Sequence, residues 1–190
     1  MRVITGSARG RRLKELEGME TRPTTDRVKE GLFNILQFDI EGRRVLDLFA
    51  GTGQLGIECL SRGAASAVFV DRRGDAVKLI RENLACTDLQ NRAQVVTGDS
   101  MEYLRRLQET FDLVFLDPPY ETGLLEKALA ALTEFDILNP HGIIVAEHPA
   151  NRLPEPVQAP YRLHRTYRYG KIGLTVFRRG GNEDSEEQRP

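Results

Sequence analysis

The chain has 190 residues, 40% hydrophobic and 29% charged with a net charge of −1, which is material for one sizeable core and too little for two comfortable domains. No apolar run approaches membrane-spanning length, and Met1-Arg2-Val3-Ile4 opens a basic polar stretch instead of a signal peptide, so a cytoplasmic protein with no membrane partner is expected. Cys59 and Cys86 stand far apart without flanking histidines, and His141, His148 and His164 match no ligand spacing, so two buried thiols and no metal are expected.

In chain order, five cations (Arg2, Arg9, Arg11, Arg12 and Lys14) precede the first acid, Glu15. Arg2 to Thr5 and Arg11 to Leu16 are predicted to pair as a hairpin across the Gly6-to-Gly10 turn. Residues 1–20 then form a basic arm that suits a phosphate backbone, although a solvated strand pair explains the charge equally well. Thr24 or Thr25 is placed to cap a helix running through Phe38, with Asp26 in its first turn. Val28, Leu32, Phe33, Ile35 and Leu36 make its apolar face.

From Arg43 onward strands and helices alternate. The predicted strands are Val45 to Phe49, Ala67 to Asp71, Ala93 to Thr97, Phe111 to Leu116, Gly142 to Ala146, Tyr161 to Tyr169 and Ile172 to Arg178. The predicted helices are Gln54 to Ser61, Gly74 to Ala85, Met101 to Leu107 and Gly123 to Phe135. This order implies an α/β, doubly wound, mostly parallel seven-stranded sheet with an antiparallel C-terminal hairpin and a small N-terminal β-hairpin extension. No repeat or linker divides residues 1–181, which are predicted to form a single domain. Residues 182–190 hold Glu183, Asp184, Glu186 and Glu187 against Arg189 with no apolar residue, and are predicted to be a disordered acidic tail.

Two motifs carry chemistry. Asp117-Pro118-Pro119-Tyr120 follows the fourth strand, and its prolines cannot continue a ladder. The carboxylate is therefore left at a strand's carboxyl end, where open α/β sheets place their sites. A carboxylate, rigid carbonyls and an aromatic ring suit a flat group bearing an amine. The second motif is Asp47-Leu48-Phe49-Ala50-Gly51-Thr52-Gly53-Gln54-Leu55-Gly56, a Gly-x-Gly-x-x-Gly pattern between the first strand and a helix. Glycines there let the backbone approach a nucleotide-like cofactor. Asp47 is positioned to accept from a cationic amino group, and Asp71, twenty residues after Gly51, to hold a ribose hydroxyl pair. Asp99, after the third strand, can accept from an adenine amine or cap the helix that follows. A nicotinamide enzyme would use Asp71 but has no use for Asp117 to Tyr120, so the combination favours S-adenosylmethionine.

Across nearly its whole length the chain resembles the RsmD family of bacterial 16S rRNA guanine-N2 methyltransferases, within the Rossmann-like class I fold. The matching pieces are Ile4-Thr5-Gly6 with Gly10-Arg11, Arg22 to Glu30, the Asp47 to Glu58 loop-helix, Ser61-Arg62-Gly63-Ala64, Asp117 to Tyr120 and the Tyr169-Gly170 hairpin. Gln54 stands where a small residue is more usual, Asp71 where the family often has Glu, and the acidic tail is extra. The resemblance implies methyl transfer from S-adenosylmethionine to the exocyclic N2 amine of a guanine in 16S rRNA, with Asp117, Pro118, Pro119 and Tyr120 as the catalytic group. It implies cofactor contacts at Arg22, Pro23 and Thr24, along the loop at Asp47, Phe49, Ala50, Gly51, Thr52, Gly53, Leu55 and Gly56, and at Asp71, Arg72, Asp99 and Ser100. Arg9, Arg11, Arg12 and Lys14 become candidate RNA contacts.

Five arm cations are few for recognising a large RNA alone, so the expected partner is rRNA within a 30S subunit or assembly intermediate, met by a monomer. Tyr167, Arg168, Tyr169 and Lys171 fit either an RNA-facing hairpin or a solvated one. Three rivals remain. A DNA adenine-N6 methyltransferase shares Asp117 to Tyr120 but needs a target-recognition region, a protein glutamine methyltransferase favours Asn at position 117, and a non-catalytic RNA-binding assembly factor would have no need of an intact site.

Overall fold

Most of the apolar runs read from the sequence become buried strands, because each is flanked by turn residues and too short for a helix of useful length. The computed structural model describes residues 1–16 and 26–180. Its strands are β1 (Arg44–Asp47), β2 (Ser66–Asp71), β3 (Ala93–Thr97), β4 (Phe111–Leu116), β5 (Leu138–Pro149), β6 (Tyr161–Tyr169) and β7 (Ile172–Arg179). Its helices are α1 (Asp26–Ile35), α2 (Gln54–Ser61), α3 (Gly74–Thr87), α4 (Ser100–Arg106) and α5 (Leu124–Glu134). The strands form a mostly parallel seven-stranded sheet with an antiparallel C-terminal pair, as the alternation predicted, and their order is β3-β2-β1-β4-β5-β7-β6. No helix among the described residues is long and apolar enough to cross a membrane.

The chain divides into two compact units, Met1–Ser100 and Met101–Pro190. In the first, β2 pairs in parallel with both β1 and β3. Val45, Leu46, Phe69, Val70, Ile57 and Ile80 are almost completely buried there. In the second, β4 and β5 are parallel, and β7 runs antiparallel to both β5 and β6. Phe111, Phe115, Ile144, Leu132 and Phe177 form its core. Fully burying side chains of this size stabilises a fold by about 1.5–3 kcal/mol each.

Several boundaries differ from expectation. α1 ends at Ile35, and the chain turns through Leu36 to Asp39, leaving Phe38 91% exposed. β1 stops at Asp47, because Leu48 to Ala50 already belong to the loop that follows. β5 begins four residues early, its ladder with β4 shifting register near the left-handed His141 (φ 63°). Cys59 is buried as expected, but Cys86 is exposed, since the inward positions of that turn of α3 belong to Asn83, Leu84 and Thr87.

The predicted N-terminal hairpin contracts to a single antiparallel bridge, Arg2 to Arg12. Val3 and Leu13 N–H groups donate across it to the Arg11 and Met1 carbonyls (3.0 and 3.1 Å), while other donors of the arm are drawn elsewhere. Ile4 and Thr5 N–H groups donate to Glu58 (2.8 and 2.9 Å), Ser7 N–H to the Ser61 carbonyl (2.8 Å), and Lys14 N–H to Asn83 Oδ1 (2.8 Å). Arg22, Pro23, Thr24 and the acidic tail lie outside the described residues.

Candidate functional site

In the first unit the site begins where β1 runs out. After Asp47 the chain turns through Gly51 and Gly53, both left-handed (φ 54° and 76°), where a side chain would be strained. A Cβ on Gly51 would meet nothing within 4 Å, so the space over that turn is open to a ligand. Gly56 answers a different need. Its Cβ would sit 2.3 Å from Phe69 Cε1, so its smallness lets α2 pack directly on β2.

Carboxylates fasten this loop. Gly51 N–H donates to Asp71 Oδ2 (2.9 Å), and Asp71 Oδ1 accepts from Arg73 N–H (2.9 Å). Each oxygen keeps a second lone pair, so Asp71 can brace the loop and still accept from a ligand hydroxyl. Gly56 N–H donates to Asp47 Oδ2 (3.1 Å). Burial pushes the Asp47 carboxyl up to about 7, against the pull of the Gly56 N–H and with a further push from the charge of Asp71. Asp99 is exposed after β3, and Ser100 turns inward, its hydroxyl donating to the Leu48 carbonyl (2.8 Å). Asp47, Asp71 and Asp99 thus stand at the carboxyl ends of three adjacent parallel strands, as the sequence predicted. Ala50 and Leu55 are buried, Phe49 and Thr52 half-buried, and Arg72 is exposed.

Three residues that organise this unit escaped sequence reading. Glu58 is fully buried in α2, where it receives the Ile4 and Thr5 N–H groups and the cations Lys29 (3.2 Å) and Arg62 (2.9 Å). Lys29, itself buried, also donates to the Arg2 carbonyl (3.0 Å). Buried Asn83 ties the Lys14 main chain to the glycine loop through the Thr52 carbonyl (3.0 Å). Their only sequence signal was polarity at helix positions where α1, α2 and α3 otherwise bury apolar side chains. The four predicted RNA contacts are all exposed, with Lys14 paired to Glu82 (2.8 Å) and Arg11 donating to the Cys86 carbonyl (3.3 Å).

In the second unit Asp117 follows β4 directly and is half-buried, Pro118 is buried, and Pro119 is exposed. Tyr120 donates its hydroxyl to Glu147 Oε1 (3.0 Å) on β5, a partner the sequence did not reveal. Glu121 adopts a left-handed conformation (φ 65°) that non-glycine residues seldom take, a kind of strain that clusters at functional loops. Thr122 locks the turn, donating to the Pro119 carbonyl (2.7 Å) and accepting from Leu124 N–H at the start of α5 (3.3 Å). Pro118, Pro119, Tyr120, Glu147 and Pro149 are among the residues lining a cleft of about 210 Å³. A fixed ring, a carboxylate and rigid carbonyls beside an open cleft fit a planar group with an amine. His148 is buried, its ring nitrogens within hydrogen-bonding distance of the Pro149 carbonyl (2.9 Å) and the Thr175 hydroxyl (2.8 Å), which makes it a strut of the sheet.

The family model described as "Conserved hypothetical protein 95" matches residues 1–178. "Ribosomal RNA small subunit methyltransferase D" of Escherichia coli (strain K12) is 35% identical over 98% of this chain and 93% of its own length. The chain belongs to the RsmD family of methyltransferases. An RsmD-family resemblance read from Ile4-Thr5-Gly6, the glycine loop and Asp117 to Tyr120 is thereby borne out. "Putative rRNA methyltransferase YlbH" of Bacillus subtilis (strain 168) is 42% identical over 95% of this chain and 100% of its own. Among solved structures, "Putative methyltransferase yhhF from Escherichia coli" superposes with a TM-score of 0.86 at 34% identity, covering 96% of this chain and 99% of the other.

Proposed function

We propose that this RsmD-family chain transfers a methyl group from S-adenosylmethionine to the exocyclic N2 amine of a guanine in 16S rRNA. Its relatives' names refer to ribosomal RNA, the extension to guanine N2 rests on the RsmD-family resemblance, and Asp117-Pro118-Pro119-Tyr120 supplies a group suited to an exocyclic amine. The observation that carries the reading is the Tyr120 hydroxyl held by Glu147 at the mouth of a cleft beginning at the end of β4. That bond fixes the ring as a stacking surface, and base–aromatic stacking contributes about 1–3 kcal/mol.

The cofactor fits the first unit. Asp47 would receive its amino group, Asp71 its ribose hydroxyls and Asp99 the adenine amine, over the open turn at Gly51. When bound, it supplies an electrophilic sulfonium methyl with a good thioether leaving group. The chain's own task is on the acceptor side. A guanine amine is a poor nucleophile because its lone pair is delocalised into the ring. In this reading Asp117 and the Pro118 carbonyl accept its two N–H bonds, which aims the lone pair and shifts charge toward the nitrogen. Holding the amine in line contributes up to about 7–11 kcal/mol in favourable cases. The base must leave its stack to reach the cleft. The partner is rRNA in a protein-bearing particle, met in the cytoplasm by a monomer.

Replacing Asp117 with Ala tests the assignment. The variant should bind S-adenosylmethionine as tightly as the parent, by calorimetry, while its rate of transfer falls about 10²–10³-fold. Transfer at the parental rate would refute the amine-gripping role.

A further inference from the structure

The last hairpin carries a feature the proposed chemistry does not use. From Pro156 to Asn182 the chain has no acidic residue but holds Arg162, Arg165, Arg168, Lys171, Arg178 and Arg179, within a protein of net charge −1. β6 is the last strand of the sheet, and most of it is exposed. Among the described residues neither Arg165, Arg168 nor Lys171 has an ion-pair partner. The base of the hairpin is firmly held, since Tyr161 donates its hydroxyl to Asp136 (2.8 Å) and Arg179 pairs with the same carboxylate (2.7 Å).

The register places aromatic rings along this strip. Residues directly opposite in an antiparallel pair share a face of the sheet. Leu174 lies opposite both Glu147 and Tyr167, so these three form one row across β5, β7 and β6. Ile172 likewise aligns Pro149 with Tyr169 in the next row on that face. Glu147 is the group that holds the Tyr120 hydroxyl, and it stands two strand spacings, roughly 10 Å, from Tyr167. Arg165 lies on the same face one step further, its guanidinium 5.6 Å from the centre of the Tyr167 ring. Tyr167 and Tyr169 are half-buried, each with part of its surface open to solvent.

Resting on the rRNA reading above, we propose that Arg165, Tyr167 and Tyr169 on β6, with Arg168 and Lys171 beside them, form a docking strip for the unpaired nucleotides flanking the methylated base. Alternate residues of a strand lie roughly 7 Å apart, a spacing that suits successive splayed bases stacking on successive rings. The cations answer the phosphates, and sequence-tolerant stacking suits nucleotides that are gripped without being read. Tyr120 would hold the target while β6 holds its neighbours, which keeps the base out of its helix.

The test uses the full chain and a short fluorescein-labelled single-stranded RNA, followed by anisotropy, alongside methyl transfer to unmodified 30S subunits. Replacing Tyr167 and Tyr169 together with Leu should weaken RNA binding about tenfold or more, whereas the double Phe variant, which keeps both rings, should bind like the parent. S-adenosylmethionine affinity and melting temperature should be the same in the Leu and Phe variants. Arg165→Glu with Lys171→Glu should weaken binding and flatten its salt dependence. Unchanged RNA binding and transfer in the Leu variant overturns the proposal. It is equally overturned if the Leu variant binds RNA normally but loses only 30S subunits, which would assign the strip to a protein partner. If the parent binds RNA through these residues yet methylates no rRNA, the docking strip stands and the rRNA methylation reading fails.

Discussion

The glycine loop of the first unit and the Asp117 to Tyr120 loop of the second are both turns at strand ends, but they are built from different materials. In the glycine loop the main chain is the functional surface, and carboxylates hold it. Asp71 grips Gly51, Asp47 grips Gly56, and Asn83 grips Thr52. In the second loop side chains are the functional surface, and the bond from the Tyr120 hydroxyl to Glu147 helps to fix the key ring. A backbone site tolerates almost no substitution at its glycines but survives change in its supports. A side-chain site can lose its chemistry with its fold intact. Mutations should therefore separate the two loops by readout, stability on one side and turnover on the other.

The largest separation should come from Glu58→Ala, which removes the carboxylate beside the buried Lys29 ammonium and releases the Ile4 and Thr5 N–H groups. A loss of about 3–5 kcal/mol is expected in chemical denaturation. A loss below about 1 kcal/mol would mean the cluster is not the anchor of the arm. Next is Gly56→Ala, whose methyl meets the Phe69 ring at 2.3 Å and should cost about 1–3 kcal/mol of stability. Tyr120→Phe should leave the melting temperature nearly unchanged and lower kcat/KM roughly tenfold, the loss of one hydrogen bond to a charged acceptor. If it destabilises the fold instead, the contrast between the loops is wrong.

The smallest and most specific effect is a pH slope from Asp47. Its folded pKa of about 7 exceeds the ordinary carboxyl value of about 3.9, so between those values the folded state binds more protons than the unfolded chain. Its contribution is fully present at the acid end and is lost as pH rises through that window. Asp47→Asn should remove this part of the slope when denaturation midpoints are compared at pH 5 and pH 8. An identical slope in both proteins would place the titration elsewhere.

Much of this was legible in the sequence because it was written in special residue types. Glycines with positive φ, prolines that end a strand and acids at strand ends each have few other uses, so the glycine loop, Asp71 and Asp117 to Tyr120 could be located from spacing alone. The mostly parallel sheet and its antiparallel C-terminal pair followed from the alternation of strand and helix patterns. Hidden were polar residues whose meaning depends on a distant partner. Glu58 looks like any helix-surface acid until the Ile4-Thr5 turn arrives 53 residues away in sequence from it. Glu147 sits in the apolar run of β5, and only the β4–β5 register brings it to Tyr120. The N-terminal hairpin formed, with Val3 and Leu13 N–H groups donating to the Arg11 and Met1 carbonyls, but it stays short because Ile4, Thr5, Ser7 and Lys14 N–H groups donate to acceptors on α2 and α3 instead.

The most direct test is to supply labelled S-adenosylmethionine with unmodified 30S subunits, protein-free 16S rRNA, duplex DNA and a protein extract in parallel. The labelled product is then digested and identified by mass spectrometry. The account predicts N2-methylguanine, confined to 16S rRNA and formed faster on the 30S subunit than on protein-free RNA. Label in adenine, in DNA or in protein would contradict it.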